Sequence, residues 1–383
     1  MTSYTKQLRT SKGVIAALSR ENIDQAPAPV ADEMTPEAAT AVLAEPVAQE
    51  IEQDVLAPAE QIEQGTDALM EAEADAGLLE NTAQILEDAS GETAADVDVA
   101  TPELANITVE RISAKYGMAR TAVLSKESLG AAAGRVESTR FISKEAFEKA
   151  GELRKRVSEG VAKLIEWFKN LIKNIFDKRT KLENRLNAVL AMTKTKEGVK
   201  ASEDATINVT RDIAELNVSD VSALIYKFKK VEELAKENAA SMQGMENETL
   251  DFNPKKLGGV TLICDIVDGK VSVTKQTEKG QETLKKAVPT LTDVTEAAKM
   301  GLTILKDLKT AEASCEKIVA EMGSATQKLK ALVTGEDNGA GATRGNILAR
   351  YQGVTTLAGA LSAVTLKVVA DLSTMCEQSL AAY

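Results

Sequence analysis

The chain contains no histidine. That removes the commonest general base, the commonest zinc ligand and the side chain that titrates nearest neutral pH. Its three cysteines, Cys264, Cys315 and Cys376, are far apart and form no Cys-x-x-Cys pair. A zinc ribbon and a dithiol redox motif are therefore excluded, and free thiols in a reducing compartment are the simplest reading. Aromatic residues make up 3% of the chain, so any sizeable core must be aliphatic. No run approaches the ~20 apolar residues of a membrane span. Gly13–Leu18, which follows Lys6, Arg9 and Lys12, is shorter than the ~7–15 apolar residues of a secretory signal. The expectation is a soluble protein made in a cytoplasm. Nucleophile elbow, phosphate loop, GxGxxG and metal-spaced clusters are all missing. Gly335–Gly341 is glycine-rich but lacks the Lys-Ser/Thr of a phosphate loop, and reads as a connector between helices. Nothing points to a catalytic residue, a cofactor or a metal, so the chain is expected not to be an enzyme.

What is present is charge, unevenly distributed. Residues 1–110 hold 23 Asp and Glu against 4 Lys and Arg, whereas residues 111–383 hold 35 against 42. The net charge of −12 thus averages an acidic segment and a basic body. Residues 22–105 carry six of the eight prolines and no Trp, Phe or Tyr. So few large apolar groups under so much charge do not offset the entropy of ordering. Residues 1–110 are accordingly expected to be a disordered acidic pro-segment. One weak stripe, Leu69, Leu78, Leu79, Ile85 and Leu86, marks a helix candidate between Thr66 and Asp88. Residues 111–145, with scattered bases and Gly117, Gly130 and Gly134, read as a flexible linker.

From residue 146 to 383 the pattern is that of a helical body. Val157, Val161, Leu164, Ile165, Phe168, Leu171, Ile172 and Ile175 recur at three- and four-residue steps, predicting a helix over 146–193. Further helices are expected over 218–247, opening at Ser219-Asp220, over 290–333 after Pro289, and over 347–382. Between them, residues 259–275 are β-branched around Asp268-Gly269, the signal of a hairpin. The fold class is mainly α: an elongated helical bundle with one small β-hairpin, preceded by the acidic segment. Glycine breaks, irregular stripes and the hairpin argue against a long uniform coiled coil.

Two local features bear on function. Leu164, Trp167, Phe168, Leu171, Ile172 and Phe176 form a bulky apolar face opposite lysines. Such a face packs in a bundle core more often than it lies on a membrane, and the lysines would also suit non-specific contact with nucleic-acid phosphate. The second feature is a set of glutamates, four of five with a serine two positions before (Glu137 has Arg135 there) and each with a small or polar residue after. In order of fit they are Glu127, Glu145, Glu137, Glu92 and Glu21. In an extended linker this is how a protease recognition site looks.

Several stretches resemble the internal head proteins of large tailed bacteriophages. They are Leu124–Gly130, Ser138–Glu145, Val161–Phe176 and Lys181–Arg185, with Cys376–Tyr383 similar to the family's C-terminal end. The likeness covers about the last two-thirds of the chain, unevenly, and the acidic segment matches only in composition. The resemblance implies a prohead core protein inside the capsid after synthesis in the host cytoplasm, trimmed after glutamate by a phage prohead protease. Its implied partners are that protease, other capsid or core proteins, and packaged DNA without sequence preference. Removal of residues 1–127 would leave 34 acids and 38 bases, too little excess for a DNA condenser. The alternative reading is a membrane-active helical protein whose acidic segment inhibits the Trp167 face.

Overall fold

The computed structural model describes residues 35–43, 51–90, 100–120, 132–202, 204–236, 247–267, 270–278, 283–334 and 340–383. The acidic third contributes α1 (Pro36–Leu43), α2 (Ala57–Ser90) and α3 (Ala100–Lys115). The body begins with α4 (Ala132–Thr195), then β1 (Thr206–Thr210), α5 (Arg211–Ala214), α6 (Val218–Tyr226) and α7 (Phe228–Lys236). Strands β2 (Glu248–Asp251), β3 (Val260–Val267), β4 (Lys270–Thr277) and β5 (Thr283–Ala287) precede the closing helices α8 (Leu291–Thr334) and α9 (Ala340–Ala381). The protein is mainly α, as its periodicity predicts.

Helix α4 is the longest element, 64 residues or about 95 Å at ~1.5 Å per residue. It starts 14 residues before the predicted boundary, within the stretch read as a linker. Ile142, Ala146, Ala150, Leu153 and Val157 are buried along it, extending the apolar stripe upstream. Helix α8 opens on a capping box: Thr290 Oγ1 accepts from the Asp293 backbone N–H at 3.2 Å, and Asp293 Oδ2 accepts from the Thr290 backbone N–H at 3.0 Å. At α6 the cap is Asn217, whose side chain accepts from Ser219 N–H, two positions before the predicted Ser219-Asp220 pair.

Helix α9 is the core. Among the described residues it is the one helix long and apolar enough to cross a membrane, with mean hydropathy 1.5 over its richest window, yet 94% of that window is buried in the bundle. Its small residues admit neighbours closely: a Cβ on Gly353 would stand 2.5 Å from Val271 Cγ1 of β4.

The predicted hairpin forms from β3 and β4, paired antiparallel with Val267 opposite Lys270. Val260, Leu262, Cys264 and Ile266 alternate inward along β3, the period of two of a one-faced strand. Two features escaped the sequence. Strand β2 adds to the free edge of β3, and β1 and β5 form a separate two-stranded sheet. The sequence Thr-Leu-Lys-Lys-Ala of β5 has no strand period to read.

Within residues 1–110, expected to be disordered, part of the chain is helical, and α2 contains the helix candidate between Thr66 and Asp88. Helices α1, α2 and α3 are ordered and packed. The reason is alanine. Along α2, Ile62, Leu69, Ala76 and Ala83 are seven apart and buried, as are Ala72, Leu79 and Leu86. These interleaved heptads make a narrow seam against the body. Alanine adds helix propensity and close approach while adding little hydropathy. Leu78 and Ile85, assigned to the stripe from sequence, are 50% and 58% exposed. Residues 1–34, 44–50 and 91–99 of the expected pro-segment lie outside the described residues.

Candidate functional site

The acidic segment lacks any base from Glu21 to Glu110, so its carboxylates must find cations elsewhere or remain solvated. Helix α2 places its carboxylates against body cations by lying in the groove between α4 and α9, antiparallel to both. Three glycines let the backbones approach. A Cβ on Gly65 would stand 2.9 Å from Leu164 Cδ2 and 3.8 Å from Trp167 Cζ3; one on Gly160 would meet Leu69 Cδ2 at 2.5 Å; one on Gly359 would meet Ala59 Cβ at 3.3 Å. Ile62, Leu69, Leu79 and Leu86 are buried in this seat, each contributing about 1.5–3 kcal/mol gross by leaving water.

At the centre of the seat is a cluster of four charges. Arg344 of α9 donates from Nε to Glu73 Oε1 at 2.6 Å. Arg154 of α4 donates from Nη1 to Glu80 Oε1 at 2.5 Å and from Nη2 to Glu80 Oε2, and its Nε lies 3.8 Å from Glu73 Oε1. The side chains of Glu73 and Arg344 are 5% and 3% exposed. The hydrogen bond from Arg154, aided by the charges of Arg154 and Arg344 and opposed by burial, holds the Glu80 carboxyl below the usual carboxylate range. Glu73 Oε2 and Arg154 Nε have no hydrogen-bond partner among the described residues, so the network is incompletely satisfied.

A second anchor follows from one proline. A π-turn at Glu52–Leu56 precedes Pro58, whose ring and missing N–H break the i to i−4 ladder. The carbonyl that Pro58 cannot serve, that of Asp54, accepts instead from Asn174 Nδ2 at 3.1 Å, while the Asp54 carboxylate pairs with Lys178 at 2.7 Å. Ser143 Oγ donates to the Ala83 carbonyl at 3.0 Å near the other end. Helix α3 folds back beside α2: Lys115 pairs with Glu71 and Asp75, and Tyr116 Oη donates to Asp75.

The candidate cleavage glutamates separate by location. Glu145 is 2% exposed in α4 and takes both Nε and Nη2 of Arg120. A protease needing an extended backbone reaches it only after α4 unwinds. Glu137 is also in α4 but exposed. Glu127, Glu92 and Glu21 lie outside the described residues; Glu127 falls in sequence between α3 and α4. The apolar face is inside the bundle: Leu164, Phe168, Leu171 and Ile172 are buried, and Trp167 and Phe176 half-buried. Leu164 and Trp167 face the acidic helix itself. Sequence reasoning did not single out Glu73, Glu80, Arg154 or Arg344. Their spacing along α2 is not unusual, and their partners are remote in sequence.

The three cysteines are free and buried. Burial pushes the Cys264 thiol up to about 11 and those of Cys315 and Cys376 to about 12. No group of three or more Cys, Asp or Glu suited to a metal ion occurs among the described residues.

Fold and seat together define a helical protein that carries a long acidic arm folded into its own basic body. A family model for phiKZ-like phage internal head proteins matches residues 47–242, just over half of the chain, and the chain belongs to that family. It is a structural protein of the phage head interior, associated with capsid components. The match begins within the acidic segment and takes in α2 and α3, where the resemblance read from sequence went no further than composition; it ends before the β2–β4 sheet. Comparison with curated proteins and with solved structures gave no match.

Proposed function

We propose that this chain is the precursor of a non-enzymatic internal head protein, cut after Glu127 by a prohead protease, its helical body remaining in the capsid beside packaged DNA. The observation that carries the reading is the seating of α2. Carboxylates of the acidic arm occupy body cations, Glu73 and Glu80 on Arg154 and Arg344, and Asp54 on Lys178. In the precursor those cations are therefore withheld from phosphate. Loss of residues 1–127 would turn a net negative chain into a slightly basic one, suited to weak, salt-sensitive and sequence-independent contact with DNA. Glu127 is favoured over Glu145 because Glu145 is buried and paired within α4. Synthesis in the host cytoplasm and assembly with other prohead core proteins complete the proposal.

The test is co-expression with the phage's own prohead protease. A product beginning at Ser128, abolished by Glu127→Ala and unaffected by Glu145→Ala, supports the reading. A chain left intact contradicts it.

A second reading keeps one observation in its favour. Leu164 and Trp167 lie under α2, as an inhibitory segment over a membrane-active face requires. Vesicle leakage by the cut protein, lost on Trp167→Asp, would select it over the structural reading.

A further inference from the structure

We infer that the groove between α4 and α9 is a receptor for an acidic amphipathic helix, and that its occupant after cleavage is the severed acidic piece itself. The cut then yields a two-piece complex, and departure of the acidic piece is a separate step. This rests on the reading of residues 1–127 as a pro-segment.

The contacts that hold the arm do not pass through the connection between α3 and α4. They are spread along the whole seat. Asp54 binds Lys178 and Asn174 at one end. Gln352 of α9 donates to Asp67 near the middle. Glu73 and Glu80 engage Arg344 and Arg154 further on. Ala83 receives Ser143, and Tyr116 receives Arg156 Nη1 through its carbonyl at 2.8 Å. Arg120, the last described residue before the connection, reaches Glu145 on α4. Severing one peptide bond removes none of these.

The apolar seam points the same way. An interface whose centre is fully desolvated and whose charges are paired across it is built like the core of a protein–protein contact. Once the covalent link is gone, the remaining cost of association is the lost freedom of the two pieces. Against it stand a buried heptad seam over most of a 34-residue helix and the ion-pair cluster. The recognition chemistry is specific: a helix with alanine and leucine at heptad positions and carboxylates two turns apart beside the seam. The unmet groups, Glu73 Oε2 and Arg154 Nε, make the cluster the point at which the seat yields. Neutralising its carboxylates removes the counter-charge that they give two buried guanidinium groups, which favours exposure of the groove.

The test uses the full chain with the recognition site of a sequence-specific protease inserted between Glu127 and Ser128. After cutting at neutral pH, size-exclusion chromatography with native mass spectrometry is expected to show the two pieces co-eluting one to one. Emission of Trp167, the single tryptophan, is expected to be unchanged. The same cut in the Glu73→Gln/Glu80→Gln double variant is expected to free the acidic piece and shift Trp167 emission to the red. Separation of the wild-type pieces while the body stays helical overturns the inference, as does equal retention in the double variant. Should that variant fail to fold before cutting, hydrogen exchange on the cut wild-type protein decides: protection of residues 57–90 equal to that of the uncut chain supports the inference, and its loss overturns it. Because the cut is engineered, the result is independent of where, or whether, a prohead protease acts.

Discussion

Arg344, near the start of α9, donates to Glu73 on α2 across 271 positions of sequence and 2.6 Å of space. The pair ties the acidic arm to the core helix of the body and sits out of water on both sides. Taking two charges out of water is costly, and a buried pair is held by geometry more than by net stabilisation. Such a contact marks where the arm must sit.

The first prediction is an asymmetry at that pair. Glu73→Ala leaves Arg344 buried without its closest carboxylate and should cost about 3–5 kcal/mol of unfolding free energy. Restoring volume without charge at both positions, Glu73→Leu with Arg344→Met, should recover much of that loss. Equilibrium denaturation of the single and double variants measures it. Equal destabilisation by the two would show that the pairing does not position the arm.

Acid should loosen the fold from both ends. Glu80 is held below the ordinary carboxylate range by Arg154. Glu232 of α7 is held at about 2 by its bond to Lys236, with Ser314 and Lys317 adding to this and burial opposing it. Depressed carboxyls contribute stability that is complete above their unfolded pKa, about 4.3, and lost as pH falls through the folded value. Melting temperature should therefore drop between about pH 4.5 and pH 2. Glu80→Gln and Glu232→Gln should each flatten part of that slope, and an unchanged slope in both would contradict the assignment.

Adjacent leucines on α2 should behave differently. Leu79 is fully buried and Leu78 half exposed. Leu79→Ala should cost about 2–5 kcal/mol, while Leu78→Ala should stay within about 0.5 kcal/mol. Denaturant midpoints for the pair report which face of the acidic helix meets the body.

The thiols should be silent until the protein unfolds. With Cys264, Cys315 and Cys376 buried and their thiols raised to about 11 or 12, a thiol-disulfide reagent at neutral pH should find almost none in the native state and all three in denaturant. Rapid reaction of any one would place it in a region that opens locally.

The body was largely legible. Three- and four-residue steps from Val157 to Ile175 gave α4, Pro289 marked the start of α8, and Asp268-Gly269 between β-branched runs gave the hairpin. The acidic arm was legible only as the weak helix candidate between Thr66 and Asp88, which α2 contains. Its seam interleaves Leu69, Leu79 and Leu86 of that candidate's stripe with Ala72, Ala76 and Ala83, which no hydropathy stripe registers, and the adjacent leucines Leu78 and Leu79 point to opposite environments. Its fit depends on Gly65, Gly160 and Gly359, which carry no local signal and act in three dimensions as clearance. The ion pairs unite positions such as 73 and 344, a distance no local pattern spans. The charge imbalance was plain in the sequence, but its resolution inside one fold was not.

Mass spectrometry of purified virions, with identification of the N-terminus of this protein, tests the central claim most directly. The account predicts a body polypeptide beginning at Ser128, derived from a chain that in infected cells still carries its acidic arm. A virion form that is intact through α2, α3 and α4 would contradict it.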